Sequence, residues 1–193
     1  SRMLGEIAQG QRCMAVAGTH GKTTTSTLVS HLFTDSGEGC SAFLGGISKN
    51  YDSNLLINEN NVIVAEADEF DRSFLQLFPE IAVITSMDPD HLDIYGDEAH
   101  IREAFKAFAS QVSGTVIVKY GLDITPEDTK AKIATYAYDN PSADFYAEPL
   151  EGEHFNLHYP GGVIEDCVVG IPGWVNIENG TGAAAIALTY GID

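Results

Sequence analysis

Basic residues are scarce in this chain. It has 10 Lys and Arg against 28 Asp and Glu, which gives a formal net charge of −18. Nucleic-acid binding depends on clustered lysines and arginines that neutralise phosphates, so this balance argues against a nucleic-acid partner. A phosphorylated small molecule is compatible with the charge only where a helix N-terminus, a lysine or a divalent metal meets the phosphate locally.

Long hydrophobic runs and closely spaced cysteines are also lacking. No apolar run approaches the roughly 20 residues of a membrane-spanning helix, and the first residues do not resemble a secretory signal. The three cysteines, Cys13, Cys40 and Cys167, are odd in number and far apart. This spacing argues against both a disulfide framework and a zinc site. The sequence therefore predicts a soluble cytoplasmic protein with free thiols and no membrane partner.

The chain does have enough apolar sequence for one folded domain. It contains 193 residues, of which 44% are hydrophobic and 20% charged, as is typical of a globular protein. Continuous apolar runs predict buried strands, and helical spacing of apolar residues predicts helices between them. The predicted strands are residues 12–18, 40–46, 61–67, 80–87 and 114–120, and the predicted helices are Lys22–Asp35 and residues 98–112.

This alternation of strands and helices predicts an α/β fold with a mostly parallel sheet flanked by helices on both faces. After Lys130 the pattern changes to short alternating segments divided by proline and glycine, which predicts a small antiparallel β meander. Residues 176–190 return to helix. Because the chain starts almost at its first strand and stops just after its last helix, we expect residues 1–193 to be one domain of a longer protein.

The stretch "AVAGTHGKTTTS" places Gly-Lys-Thr between a buried strand and a helix, as in a phosphate-binding loop. Glycines let backbone amides approach phosphate oxygens, and the helix N-terminus adds partial positive charge. In this interpretation Lys22 reaches the β- and γ-phosphates and the Thr23 hydroxyl ligates Mg²⁺. The usual pattern requires glycine where this chain has Val16; its glycines are Gly18 and Gly21. The alternative is a chance Gly-Lys-Thr at a helix start.

A different spacing resolves that discrepancy. "AGTHGKTTT" resembles the nucleotide loop of the Mur ligases, ATP-dependent enzymes that add amino acids to the peptidoglycan precursor, whose loop reads G-T-[NH]-G-K-[ST]-T. Histidine at position 20 is typical of the branch that adds L-alanine to UDP-N-acetylmuramate and of the branch that recycles murein tripeptide. Three further segments resemble family motifs in family order: "AEADEFDRSFLQLFP" (65–79), "DPDHLDIYG" (88–96) and "NIEN" (176–179).

The resemblance implies a set of site residues. It implies that Glu66 contacts one or both Mg²⁺ ions, that His91 holds the second, and that Lys22, Glu66 and His91 are catalytic. The residues that it assigns to ATP binding are Gly18, Thr19, His20, Gly21, Lys22, Thr23, Thr24, Asn176 and Asn179.

The residues themselves leave alternatives open. Histidine is an unusual ligand for Mg²⁺, which prefers oxygen. Without the resemblance, the acidic residues from Glu66 to Asp71 read as a solvated turn and His91 as a hydrogen-bonded loop residue. Asp90 and Asp93 could orient His91 or cap a helix, and they remain unassigned.

Two positions bear on the branch of the family. Val175 stands where the family has a histidine before Asn176, which suggests altered packing against the adenine. Several sister ligases carry a carbamylated lysine fourteen or fifteen residues after the matching histidine, where this chain has Phe105 and Lys106. Helical spacing buries Phe105 and directs Lys106 outward, so we interpret Lys106 as a surface residue.

The function implied by the resemblance is that of the central ATP-binding domain of an amide ligase. The expected cofactors are ATP and Mg²⁺, and the expected substrates are UDP-N-acetylmuramate and L-alanine, joined through an acyl phosphate in peptidoglycan synthesis. The uridine-binding N-terminal domain and the C-terminal domain of the family lie outside these 193 residues. The alternatives are a murein tripeptide recycling ligase, a P-loop NTPase switch or a structural domain without activity. The oligomeric state is left open.

Overall fold

The computed structural model describes residues 6, 8, 10–69, 74–88 and 98–193. The described residues form one ten-stranded sheet in the order β10-β9-β8-β7-β6-β5-β1-β4-β2-β3. The strands are β1 (Arg12–Ala17), β2 (Ser41–Ser48), β3 (Ser53–Leu56), β4 (Val62–Ala67), β5 (Ile81–Ile84), β6 (Thr115–Lys119), β7 (Lys132–Tyr138), β8 (Phe145–Pro149), β9 (Phe155–Tyr159) and β10 (Gly162–Cys167). The α-helices in the part of the chain that the structure describes include α1 (Lys22–Asp35), α2 (Glu98–Ser110) and α3 (Trp174–Tyr190).

The centre of the sheet is parallel and covered on both faces. Strand β1 lies between β4 and β5 and pairs with both in parallel. Its side chains alternate between two cores: Cys13, Ala15 and Ala17 pack with α2, whereas Met14 and Val16 pack with α1 and α3. A strand buried on both faces needs apolar residues along its whole length, which explains the continuous apolar run in the sequence of β1. The predicted α/β architecture is confirmed.

The predicted antiparallel meander near the C-terminus is confirmed, but it begins one strand later than predicted. Strand β7 pairs in parallel with both β6 and β8, so it belongs to the parallel sheet, and the antiparallel pairs at this end are β8–β9 and β9–β10. Alternating polarity indicates a half-buried strand but does not give the direction of its partner. The tight return from β7 to β8 is stabilised by the Asp144 carboxylate, which accepts hydrogen bonds from the Thr135 amide at 2.8 Å and hydroxyl at 2.9 Å.

A cluster at the amino edge of the sheet ties α3 to β1. The Arg12 guanidinium donates to both carboxylate oxygens of Glu80 at 2.8 and 2.7 Å. It also lies 4.2 Å from the ring centroid of Tyr190, the last residue of α3, within range of a cation–π contact. Donation from Arg12 lowers the pKa of the Glu80 carboxyl. Because its C-terminal end is fixed here, α3 crosses the sheet and its N-terminal half reaches the carboxyl edge.

The three cysteines are free thiols, as predicted. Burial raises the pKa of Cys13 to about 12 and that of Cys40 to about 11, so both are protonated at neutral pH and weak nucleophiles. None of the helices within the described ranges is both long and apolar enough to cross a membrane.

Phe105 and Lys106, neighbours on α2, give a test of the core. Phe105 is fully buried and stacks edge-on against Phe74 at 5.4 Å, whereas Lys106 pairs with Asp123 at 3.3 Å and Asp128 at 3.5 Å on the surface. We expect Phe105→Ala to lower the free energy of unfolding by about 3–5 kcal/mol because it leaves a cavity. Lys106→Ala, the control, is expected to leave the urea midpoint nearly unchanged. A large loss of stability in Lys106→Ala would contradict the surface position of Lys106.

Candidate phosphate-binding site

The predicted loop connects the end of β1 to the start of α1. Its Gly21 is the N-cap residue of α1 and has φ 81°, and among the described residues no side chain caps the helix. Glycine adopts this left-handed conformation without the penalty that a Cβ imposes. The first backbone amides of a helix have no partners within it. At α1 they are therefore available to an anion, with the partial positive charge of the helix N-terminus behind them.

Two hydroxyl residues that follow β5 hold the loop in place. The Ser86 hydroxyl accepts a hydrogen bond from the His20 amide at 2.8 Å and bonds the Thr19 hydroxyl at 2.9 Å. The Thr85 amide donates to the Ala17 carbonyl at 2.9 Å, and its hydroxyl donates to the His20 carbonyl. The sequence prediction missed both residues. Their signal was "TS" at the carboxyl end of a buried strand, but the partner of β5 was not evident.

Lys22 lies in a largely buried ion pair. Its Nζ donates to Glu69 Oε2 and to the Gly18 carbonyl, each at 2.7 Å. The Lys22 side chain is 14% exposed and that of Glu69 only 2%. The interpretation of this acidic stretch as a solvated turn is therefore wrong for Glu69, whereas Asp68 beside it is exposed. Polarity alone did not distinguish a surface carboxylate from one that is buried against a lysine.

Thr23 and Glu66, the two predicted metal ligands within the described residues, lie together. The Thr23 hydroxyl donates to Glu66 Oε1 at 3.0 Å, and the Gly45 amide donates to Glu66 Oε2 at 2.8 Å. A Cβ at Gly45 would lie 2.6 Å from both carboxylate oxygens, so any larger residue at this position in β2 would displace the Glu66 carboxylate. Gly45 thus lets β2 approach the Glu66 carboxylate.

These groups line a cleft of 340 Å³ at the carboxyl edge of the sheet. The lining residues are Thr19, Gly21, Lys22, Thr23, Thr24, Glu66 and Asp68. Hydroxyl and carboxylate oxygens suit Mg²⁺, which also retains several waters, so the donors present fit that ion. Within the described ranges, no cluster of three or more His, Cys, Asp and Glu side chains could hold a metal.

Of the two asparagines predicted to bind ATP, Asn176 and Asn179, Asn179 is the one beside the loop. It is 8% exposed, and a Cβ at Gly21 would lie 2.7 Å from its Oδ1. Asn176 instead donates from Nδ2 to the Pro172 carbonyl at 2.7 Å, which ties down the start of α3. Val175 is 48% exposed, so its side chain is available to a ligand or another domain.

A second, larger groove adjoins the cleft. It has a volume of 680 Å³, shares Thr23 and Thr24 with the cleft and includes Lys49 and His31. His91, Asp71, Asp90 and Asp93 lie outside the described residues, so the role expected for His91 stays a prediction.

A glycine loop, a lysine and two oxygen donors at the carboxyl edge of a parallel sheet are the arrangement typical of nucleotide-binding domains. The family model described as the Mur ligase middle domain matches residues 16–187. The chain therefore belongs to the Mur ligase middle-domain family.

Several relatives share this sequence at substantial identity. The UDP-N-acetylmuramate–L-alanine ligase of Porphyromonas gingivalis (strain ATCC 33277) is 46% identical over 200 residues, with 100% of this chain and 44% of the relative covered. The enzyme of the same name from Parabacteroides distasonis is 47% identical over 200 residues, with 100% and 43% covered. The chain thus spans less than half the length of these relatives.

Solved structures agree on the fold. The UDP-N-acetylmuramate:L-alanyl-γ-D-glutamyl-meso-diaminopimelate ligase from Neisseria meningitides has a TM-score of 0.88 at 21% identity, covering 100% of this chain and 66% of that one. The UDP-N-acetylmuramate–alanine ligase from Thermotoga maritima has a TM-score of 0.81 at 23% identity, covering 100% and 44%. At these identities the likeness establishes the architecture alone.

Gly18 gives a test of the loop geometry. It has φ 141°, and a Cβ there would lie 2.9 Å from the Ser86 amide nitrogen and overlap the Thr85 hydroxyl. We expect Gly18→Ala to lower the free energy of unfolding by about 3 kcal/mol, since both strain and overlap oppose it. Gly37→Ala is the matched control because Gly37 has φ 84° but open space around it; it should cost about 1 kcal/mol. If urea unfolding shows the same loss of unfolding free energy in Gly18→Ala and Gly37→Ala, the packing of the loop against the residues after β5 is contradicted.

Proposed function

We propose that the chain is the ATP-binding middle domain of a longer, cytoplasmic amide ligase that joins L-alanine to UDP-N-acetylmuramate in peptidoglycan synthesis. The observation that carries the proposal is that Lys22, Thr23 and Glu66 line one cleft at the N-terminus of α1. The naming of relatives at 46% and 47% identity over the whole chain as enzymes of this activity supports the choice of substrates.

The first step of the proposed reaction brings two anions together. A carboxylate oxygen of UDP-N-acetylmuramate attacks the γ-phosphorus of ATP, the bond to the β,γ-bridging oxygen breaks, and an acyl phosphate and ADP form. The amides at the start of α1 and the Lys22 ammonium hold the phosphates in line for this attack. The larger groove shares Thr23 and Thr24 with the cleft, so we assign the acceptor carboxylate to that side.

In the second step the amine of L-alanine attacks the acyl carbon, inorganic phosphate leaves with the bonding electrons, and the nitrogen loses a proton to give the amide. Mg²⁺ bound at this site would neutralise phosphate charge during transfer. Thr23 and Glu66 are the described residues that would hold it, and His91 is proposed as a ligand of a second ion.

Binding of Mg·ATP by the 193-residue chain tests the nucleotide site. We expect calorimetric titration to show weak, saturable binding that requires Mg²⁺. Lys22→Ala should weaken it about 100-fold, because a charge-assisted hydrogen bond to phosphate is lost. Lys132→Ala is the control, since Lys132 is an exposed lysine at the opposite, amino edge of the sheet. No binding by a folded wild-type chain, or equal weakening by both substitutions, would contradict the proposal.

The substrates are tested on the longer protein that we propose contains this chain. Amide formation with L-alanine and UDP-N-acetylmuramate should release one phosphate per amide, and murein tripeptide should be a poor replacement for L-alanine. The isolated chain should form no amide. Preference for the tripeptide would assign the recycling reaction instead, and nucleotide hydrolysis without any carboxylate acceptor would indicate an NTPase switch.

A further inference from the structure

We propose that Glu69 is a positioning residue for Lys22, which holds the ammonium at the loop and offsets its charge so that ADP leaves the site readily. The proposal rests on the proposed function, since it concerns nucleotide bound at this loop. Its basis is the ion pair between Lys22 Nζ and Glu69 Oε2 at 2.7 Å.

Lys22 and Glu69 follow two strands that are neighbours in the sheet. Lys22 is the first residue of α1, just after β1, and Glu69 lies two residues beyond the end of β4. These strands are paired in parallel through Ala17 and Ala67, so their carboxyl ends are adjacent. The contact therefore depends on the register of the sheet and does not require a rearrangement of the loop.

Burial makes the pair hard to separate. The Glu69 side chain is only 2% exposed, so water cannot replace Lys22 as its partner in place. A buried carboxylate that loses its cation is strongly unfavourable. An ammonium group has three donors, and among the described residues Lys22 uses two, on Glu69 and the Gly18 carbonyl. The third can bond a phosphate while the other two persist.

A lysine that keeps a carboxylate partner presents less net positive charge to a triphosphate or diphosphate than a lone lysine does. Glu69 thereby limits the affinity that Lys22 supplies, while it keeps the ammonium in a fixed position. For a ligase, tight retention of ADP after phosphoryl transfer would slow each cycle, because product release limits the rate of many enzymes.

The test is a double-mutant cycle on the 193-residue chain, with Mg·ADP as the titrant in calorimetry. The variants are Glu69→Gln, Lys22→Ala and the double variant. Glu69→Gln keeps the shape of the side chain and removes its charge, and it should tighten Mg·ADP binding about tenfold. In the Lys22→Ala background the same change should also tighten binding, because it removes a negative charge close to the phosphates.

The control is Glu103→Gln, which removes one negative charge from the exposed surface of α2 and should leave the affinity unchanged. Urea unfolding without nucleotide checks that each variant is folded, and Glu69→Gln is compared with Lys22→Ala and the double variant only where the unfolding curves show a folded chain. A merely structural lesion would weaken binding or leave it unchanged, so either outcome for Glu69→Gln overturns the proposal.

The two proposals fail in different ways. Wild-type binding of Mg·ADP without any gain in Glu69→Gln overturns the role of Glu69 and leaves the nucleotide site standing. If Mg·ADP binds to none of the wild type, Glu69→Gln and the double variant, both the role of Glu69 and the nucleotide site are overturned.

Discussion

The site depends on the parallel pairing of β1 with β4 on one side and β5 on the other. In parallel strands the carboxyl ends lie at the same edge, so the loop after β1, the acidic segment after β4 and the hydroxyl residues after β5 meet there. Register is specific: Ala17 pairs with Ala67 and with Ile84. A shift of one residue in either neighbour would move Glu66 or Thr85 to the wrong face.

The same edge shows how an acidic protein can present a site for an anion. The chain has a net charge of −18, and the loop lysine is itself paired with Glu69. In the proposed nucleotide site, attraction for phosphate would come largely from backbone amides at the start of α1 and from a bound cation, which act at short range and do not depend on net charge. Local geometry outweighs the overall field here because screening removes distant surface charges.

Much of the architecture was predictable because its signals are local. Continuous apolar runs identified β1, β4, β5 and β6, and the spacing of Ile101, Phe105 and Phe108 identified α2 with the correct buried face. The loop was recognisable from contiguous residues. The direction of β7 could not be predicted in this way, since it is set by a partner strand and by the contact of Asp144 with Thr135. Thr85, Ser86 and Glu69 were missed for the same reason: each acts on a residue more than forty positions away.

The sequence by itself determined the chemical groups: a glycine loop, one lysine, a hydroxyl and a carboxylate, each next to a strand or helix that its own neighbours encode. It also determined the family, because the motifs occur in a fixed order. Only the tertiary structure decided that Glu69 is buried against Lys22, that Gly45 makes room for Glu66 and that Asn179 rather than Asn176 lies beside Gly21. These are contacts between distant segments, and they follow from strand order, register and the path of α3, which no local pattern specifies.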